Sequence, residues 1–225
     1  MKTVHKRIKD LFSRIEVPEY IFSPKLGGST IQNALLHQGE IALFKLDIKK
    51  YFPSIQRQEV YSFFRFKMEC SEDVSAILAK ITTFSCHLST GSSLSPIMSY
   101  HVNSGMWEAI YLRVSEDNCR LSVWVDDICI SGPVIPGSLV WDIKKIIFNH
   151  KFKYHKERKY GHHESKNITG IIVTPERIMA RKGQHKKLRE LRKSALQVKS
   201  LASLCKINLQ IEGLENYITQ VEECN

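Results

Sequence analysis

The chain has 225 residues and a mass of 26.0 kDa, with 43% hydrophobic and 25% charged residues, enough for one domain or a little more around a real core. No apolar run approaches the roughly eighteen residues of a membrane span, and the opening MKTVHKRIKD is too polar for a secretory signal, so a cytoplasmic protein with no membrane partner is expected. The formal net charge is +10, and residues 144–199 alone hold 17 basic against 4 acidic side chains, the footprint of a polyanion-binding surface.

Val4, Ile8, Leu11, Phe12 and Ile15 recur at helical spacing and predict an amphipathic helix over residues 2–15, which Pro18 ends. Gly27-Gly28 makes a turn, and Ser29 caps a short helix over 30–37. Residues 41–48, IALFKLDI, predict a buried strand; helices follow over 57–69, 72–84 and, longer, 95–114. In LSVWVDDICIS (121–131) two apolar runs meet at Asp126-Asp127, predicting a strand pair that turns there. Gly132, Pro133, Pro136 and Gly137 break the chain before a helix over 138–149. Strands are predicted near 152–155, 168–173 and 177–181, then a strongly basic helix over 184–203 and a short one over 209–222. This order describes an α+β fold with a mostly antiparallel sheet.

Cys70, Cys86, Cys119, Cys129, Cys205 and Cys224 lack close pairs and suit reduced thiols. His155, His162, His163 and Glu164 have no cysteine at zinc-ligand spacing, and no nucleophile elbow is present.

Asp47 ends one predicted strand, and Asp126 and Asp127 sit at the turn of another. Adjacent aspartates in an apolar hairpin repel, and a buried carboxylate must be paired, protonated or bound to a cation. Asp-Asp is also an ordinary turn sequence; the third aspartate and the apolar flanks Trp124, Val125 and Ile128 favour Mg²⁺. Two such ions suit in-line phosphoryl transfer.

These residues resemble a family. FKLDIKKYFPSI (44–55) is similar to motif A of reverse transcriptases, VWVDDICIS (123–131) to their double-aspartate motif, and TGSSLSPIMS (90–99) to their motif B. Asn33 to His37 (NALLH) and Ile168-Thr169-Gly170 resemble two short elements of bacterial retron reverse transcriptases, and the likeness runs on through the basic segment that follows, covering about residues 5 to 200. The resemblance implies a right-hand palm over 41–180, a small basic helical thumb over 181–225, and remnant fingers with connecting helices over 1–40.

It also implies roles. Asp47 and Asp126 would hold two Mg²⁺ ions with the Ile48 carbonyl as an extra ligand, and Asp127 would support them. Phe52 would sit under the nucleotide sugar and exclude a 2′-hydroxyl, although core packing explains it as well. Gly91 would allow close approach of the nucleotide, and Arg158 or Lys159 would assist the leaving pyrophosphate. Asn33, His37, Ile168, Thr169 and Gly170 would select the RNA. Arg181, Lys182, Lys186, Lys187, Arg189, Arg192 and Lys193 would track phosphates, with 182, 186, 189 and 193 on one helical face.

The implied activity is synthesis of DNA from dNTPs on part of a dedicated structured RNA, able to start at a guanosine 2′-hydroxyl, in antiviral defence with an effector protein. Alternatives are another bacterial defence or group II-intron-like reverse transcriptase, or a non-catalytic nucleic-acid-binding scaffold. Three departures stand out. Trp124 replaces the tyrosine before the aspartate pair, and Thr90 and Ser92-Ser93 replace a glutamine and a small-Pro pair. No arginine-led finger hairpin precedes residue 5, so the fingers are expected to be reduced or absent, or supplied by an oligomer, a partner chain or bound RNA, or their role taken by other basic residues of this chain.

Overall fold

The computed structural model describes residues 2–198 and 200–224. In chain order the elements are α1 (Lys2–Phe12), β1 (Ile21–Ser23), α2 (Thr30–Leu35), β2 (Ala42–Lys49), α3 (Tyr51–Ser54) and α4 (Arg57–Ser62), which runs into a π-helical turn at Phe63–Lys67. Then come α5 (Glu72–Thr82), the short pair β3 (Thr83–Phe84) and β4 (His87–Leu88), α6 (Ser95–Val102), α7 (Ser104–Glu116), and the hairpin β5 (Arg120–Trp124) and β6 (Asp127–Gly132). The chain continues through α8 (Gly137–Asn149), β7 (Lys153–Tyr160), β8 (Lys166–Ile168), β9 (Ile171–Val173), β10 (Ile178–Ala180), α9 (Lys182–Gln197) and α10 (Leu201–Glu223).

Two compact units form. The first takes the chain up to Gly28 and Ala42–Lys159; the second takes Ser29–Ile41 and the chain from Tyr160 onward. The main sheet has the order β1-β5-β6-β2-β7, with β1 parallel to β5 and the pairs β5–β6 and β6–β2 antiparallel. Phe44, Leu46 and Ile48 of β2 alternate with Leu43, Lys45 and Asp47, as side chains on a strand must. The first set, with Ile128 and Ile130 of β6 and Leu121 and Val123 of β5, enters the core beneath Trp107, Ile110, Ile143 and Ile147 of α7 and α8. Lys45, Asp47 and Asp127 are left on the opposite face.

In the second unit β8, β9 and β10 make an antiparallel sheet in the order β10-β9-β8. Helix α2 packs on β8 and β9, and α10 packs on α9 and β10. Ser29 caps α2 as expected, its hydroxyl accepting from the Ile31 amide at 3.1 Å. Among the described residues no helix is long and apolar enough to cross a membrane.

Several boundaries differ from the sequence expectation. The helix expected over 95–114 is two, broken at Asn103, whose amide donates to the Ser99 carbonyl at 3.0 Å and so competes with the helical ladder. The helix expected over 57–69 ends in the π-turn, closed by Met68 N–H to the Phe63 carbonyl at 3.1 Å. The strand expected at 152–155 runs to Tyr160, and the terminal helix has 23 residues where a short one over 209–222 was expected.

His101 is buried against Phe12, Phe63 and Tyr100, and its Nε2 has no hydrogen-bond partner. Burial, and then the nearby Lys67 charge, push it down to about 4. The unfolded chain therefore binds this proton more readily than the folded one, and stability falls as pH drops from about 6.5 toward 4. Urea denaturation across that window should show this group contributing about 2–3 kcal/mol of pH dependence, which His101→Gln removes; an unchanged slope in the variant excludes His101 as its source.

Candidate active site

Asp47 and Asp127 are directly opposite each other in the β2–β6 register. Asp126 lies in the two-residue turn between Trp124 and Asp127, themselves paired across β5 and β6. Backbone bonds fix this turn from both sides: Ile48 N–H donates to the Asp126 carbonyl at 2.9 Å, and Val125 N–H donates to the Ser23 carbonyl at 3.1 Å. The expected convergence of the three aspartates is therefore built by strand pairing, and the Ile48 peptide unit lies beside the turn. Trp124 shares the aspartate face, since it is cross-strand from Asp127.

The electrostatics are unequal. Lys45 Nζ donates to Asp127 Oδ2 at 2.9 Å. His155 Nε2 is hydrogen-bonded to Asp47 Oδ1, and Lys156 Nζ lies 3.4 Å from Asp47 Oδ2. Lys156 has φ 55°, which breaks strand alternation and accompanies the reach of two consecutive side chains to one carboxylate. Among the described residues no basic side chain is in ion-pair contact with the Asp126 carboxyl. Burial first, then the charges of Asp47 and Asp127, push it up to about 6, with Lys156 drawing it partly back.

Lys45, His155 and Lys156 were not singled out from sequence as partners of the aspartates. Lys45 was legible in principle, two residues from Asp47 on the same strand face; the other two reach the site only through the placement of β7 beside β2.

Among the described residues no three His, Cys, Asp or Glu side chains are gathered closely enough to hold an ion as they stand; Asp47 and Asp127 are engaged by the basic side chains instead. The donor set nevertheless fits a hard divalent cation. Its oxygens are those of carboxylates and a backbone carbonyl, and it contains one half-buried carboxyl raised by desolvation and by two like charges.

The other expected residues fall as follows. Phe52 in α3 is partly buried against the core, its ring 5.9 Å from that of Tyr51. Tyr51 is fully buried, donates to the Ser99 carbonyl at 3.0 Å and accepts from Trp107 Nε1 at 3.2 Å, which anchors α3 beneath the aspartate strand. Gly91 has φ +95° with open space where a side chain would project, a conformation that glycine adopts freely. Arg158 and Lys159 are exposed on β7.

In the second unit, the two short elements 136 residues apart meet: Asn33 Nδ2 lies 3.4 Å from Thr169 Oγ1. Thr169 (φ 44°) and Gly170 (φ 93°) are the two-residue turn joining β8 to β9, the positive-φ pair of a type I′ hairpin. Asn33, His37 and Ile168 are buried around it, and Asn33 Oδ1 has no hydrogen-bond partner. Arg181, Lys182, Lys186, Lys187, Arg189 and Lys193 are exposed. Arg192 is held by Glu215, with Nη2 to Oε1 at 2.7 Å, and Lys186 lies 3.8 Å from Glu190.

Folding holds the Asp126 proton more tightly than the unfolded chain does, so charging Asp126 costs stability as pH rises from about 4 to 6. With divalent ions chelated, Asp126→Asn should be more stable than wild type by about 1–2 kcal/mol at pH 7 and equal to it at pH 4. Denaturant melts at both pH values check this; a destabilised variant at pH 7 contradicts the stated cause.

No protein-family model matches the chain. Over 133 residues it is 30% identical to the retron Se72 reverse transcriptase of Salmonella heidelberg, a match covering 59% of this chain and 35% of the relative. It thus spans about a third of that protein's length. The structure of a foamy viral protease-reverse transcriptase in complex with double-stranded DNA superposes with a TM-score of 0.54 and 14% identity, covering 95% of this chain and 32% of the other. A Candida albicans telomerase solved with a fragment of telomeric RNA gives a TM-score of 0.49 at 11% identity, over 97% of this chain and 45% of the other. The chain has the fold of a reverse-transcriptase palm and is similar in sequence to a retron reverse transcriptase.

Proposed function

We propose that the chain is an RNA-directed DNA polymerase of retron type, copying part of a dedicated structured RNA into DNA. The observation that carries this is the pairing of Asp47 with Asp127 beside Asp126 on one sheet face, in a chain whose sequence is similar to a retron reverse transcriptase.

Asp47 and Asp126, with the Ile48 carbonyl and with Asp127 in support, would hold two Mg²⁺ ions, which supply positive charge for activating a hydroxyl nucleophile and neutralising pyrophosphate. The chain's own side chains do the rest. Lys45 holds the Asp127 carboxylate, and His155 and Lys156 hold that of Asp47, limiting repulsion until cations arrive. Phe52, on a helix anchored by buried Tyr51, restricts the space for the nucleotide sugar, and the positive φ of Gly91 keeps its loop open to a nucleotide or template. Arg158 or Lys159 faces the leaving group. Asn33, His37 and the Ile168–Gly170 turn select the RNA, and the exposed basic side chains of α9 grip its backbone. The RNA, its DNA copy, dNTPs and an effector protein are the partners, in a cytoplasmic antiviral role.

Purified with its co-purifying RNA and given dNTPs and Mg²⁺, the wild type should make RNA-linked DNA, and the Asp126→Asn, Asp127→Asn double variant should make at least a thousandfold less. Mg²⁺ should raise the melting temperature of the wild type and leave that of the double variant unmoved. Equal DNA yield from the two proteins overturns the catalytic assignment. Phe52→Ala should lower the preference for dNTPs over rNTPs by about tenfold or more; unchanged discrimination removes Phe52 from that role.

A further inference from the structure

The run Phe63-Phe64-Arg65-Phe66 would place Phe63 and Phe66 on one face of an ordinary α-helix, at i and i+3 spacing. The π-turn separates them. Phe63 and Phe64 are buried in the core while Phe66 stands 72% exposed, with the Arg65 guanidinium 5.8 Å from its ring centre.

Phe66 lines a groove of about 490 Å³ in the first unit, between the π-turn, the α6–α7 break and the turn after α8. Its walls carry two ammonium groups, Lys67 and Lys151, and the exposed side-chain amides of Gln58 and Asn149; Asn103, also in the wall, gives its amide to the Ser99 carbonyl. Lys67 donates to the Ser104 hydroxyl at 2.9 Å, and neither lysine has an acidic partner among the described residues. The acid in the groove, Glu59, is turned to its own helix, where its carboxylate accepts from the Gln56 amide at 2.7 Å.

An exposed aromatic face, unneutralised cations and side-chain amides that both donate and accept match an unpaired nucleotide: a base to stack, a backbone to neutralise and an edge to hydrogen-bond. We infer that this groove binds an unpaired, single-stranded stretch of nucleic acid, with a base stacked on Phe66 and adjoining phosphates at Lys67 and Lys151. The inference rests on the chain acting on RNA, as proposed above, and places a contact away from the aspartate face. An acidic peptide is a poorer occupant, because the apolar lining is confined to Phe63, Phe66 and Val102 and the amides would go unused.

The test uses the full chain and a fluorescently labelled, unstructured twelve-nucleotide RNA. Phe66→Ala should weaken binding about tenfold, Phe66→Trp should retain it, and Lys67→Glu with Lys151→Glu should weaken it and flatten its salt dependence. A bromouridine-substituted RNA should photo-crosslink to the peptide containing residue 66. Extension of a pre-annealed template–primer should be unaffected by Phe66→Ala. Wild-type affinity in Phe66→Ala, or crosslinks confined to other peptides, overturns the inference, as does a polyglutamate peptide that occupies the groove while the RNA does not. If no variant or wild type synthesises DNA yet RNA binding still depends on Phe66, the groove stands and the polymerase reading falls; active enzyme with Phe66-independent binding is the reverse.

Discussion

Everything at the aspartate face depends on the antiparallel register of β2 and β6. Side chains alternate along a strand, so the burial of Phe44, Leu46 and Ile48 against Ile128 and Ile130 dictates that Asp47 meets Asp127 on the other face. A one-residue slip of β2 would turn Asp47 into the core and Phe44, Leu46 and Ile48 out of it. Burying those five side chains contributes about 1.5–3 kcal/mol each. Like charges directly opposite on neighbouring strands cost on the order of 1 kcal/mol. The hydrophobic face wins by a wide margin, and the sheet can therefore hold an electrostatically unfavourable cluster.

The cluster is held unevenly, and that unevenness has chemical meaning. Asp47 and Asp127 each have basic partners in contact, while Asp126, half-buried in the turn, is raised first by burial and then by the charges of Asp47 and Asp127, with Lys156 offsetting only part of this. The partners of Asp47, an exposed lysine and a half-exposed histidine, both come from the edge strand β7. The lysine is well exposed, so its pair with Asp47 is worth at most about 1 kcal/mol.

Elements with strong periodicity were legible in the sequence, and so was the meeting of Asp47 with the 126–127 turn, because apolar alternation sets strand faces before any long-range contact is known. Residues set by edges and irregularities were not. The strand β7 reads KYHKERKY, with no apolar alternation to betray its full length, and its His155 and Lys156 reach Asp47 through strand order and a positive φ. The break at Asn103 depends on a side chain choosing a carbonyl one turn back, and the exposure of Phe66 depends on one extra residue in a helical turn. Asn33 and Thr169 were visible as separate elements by resemblance; that they touch is a property of the fold of the second unit, in which Ser29–Ile41 joins the C-terminal strands.

Backbone strain ties the two kinds of site together. Among the described residues nine non-glycine positions have positive φ, and the two that are β-branched are Val125 (61°) and Thr169 (44°). Each occupies the tip of a two-residue hairpin where glycine or asparagine would sit without penalty. A β-branched side chain there costs on the order of 1–2 kcal/mol. Val125 offsets this by packing on the core and donating its amide to Ser23, which holds Asp126 beside β2. Thr169 gains the contact with Asn33. In both hairpins the residue that bears the strain adjoins, or belongs to, the group put forward for chemistry or recognition. A freer residue would relax the turn and loosen the neighbour it aims, so the strain is the physical sign that position, at these two tips, outweighs local stability.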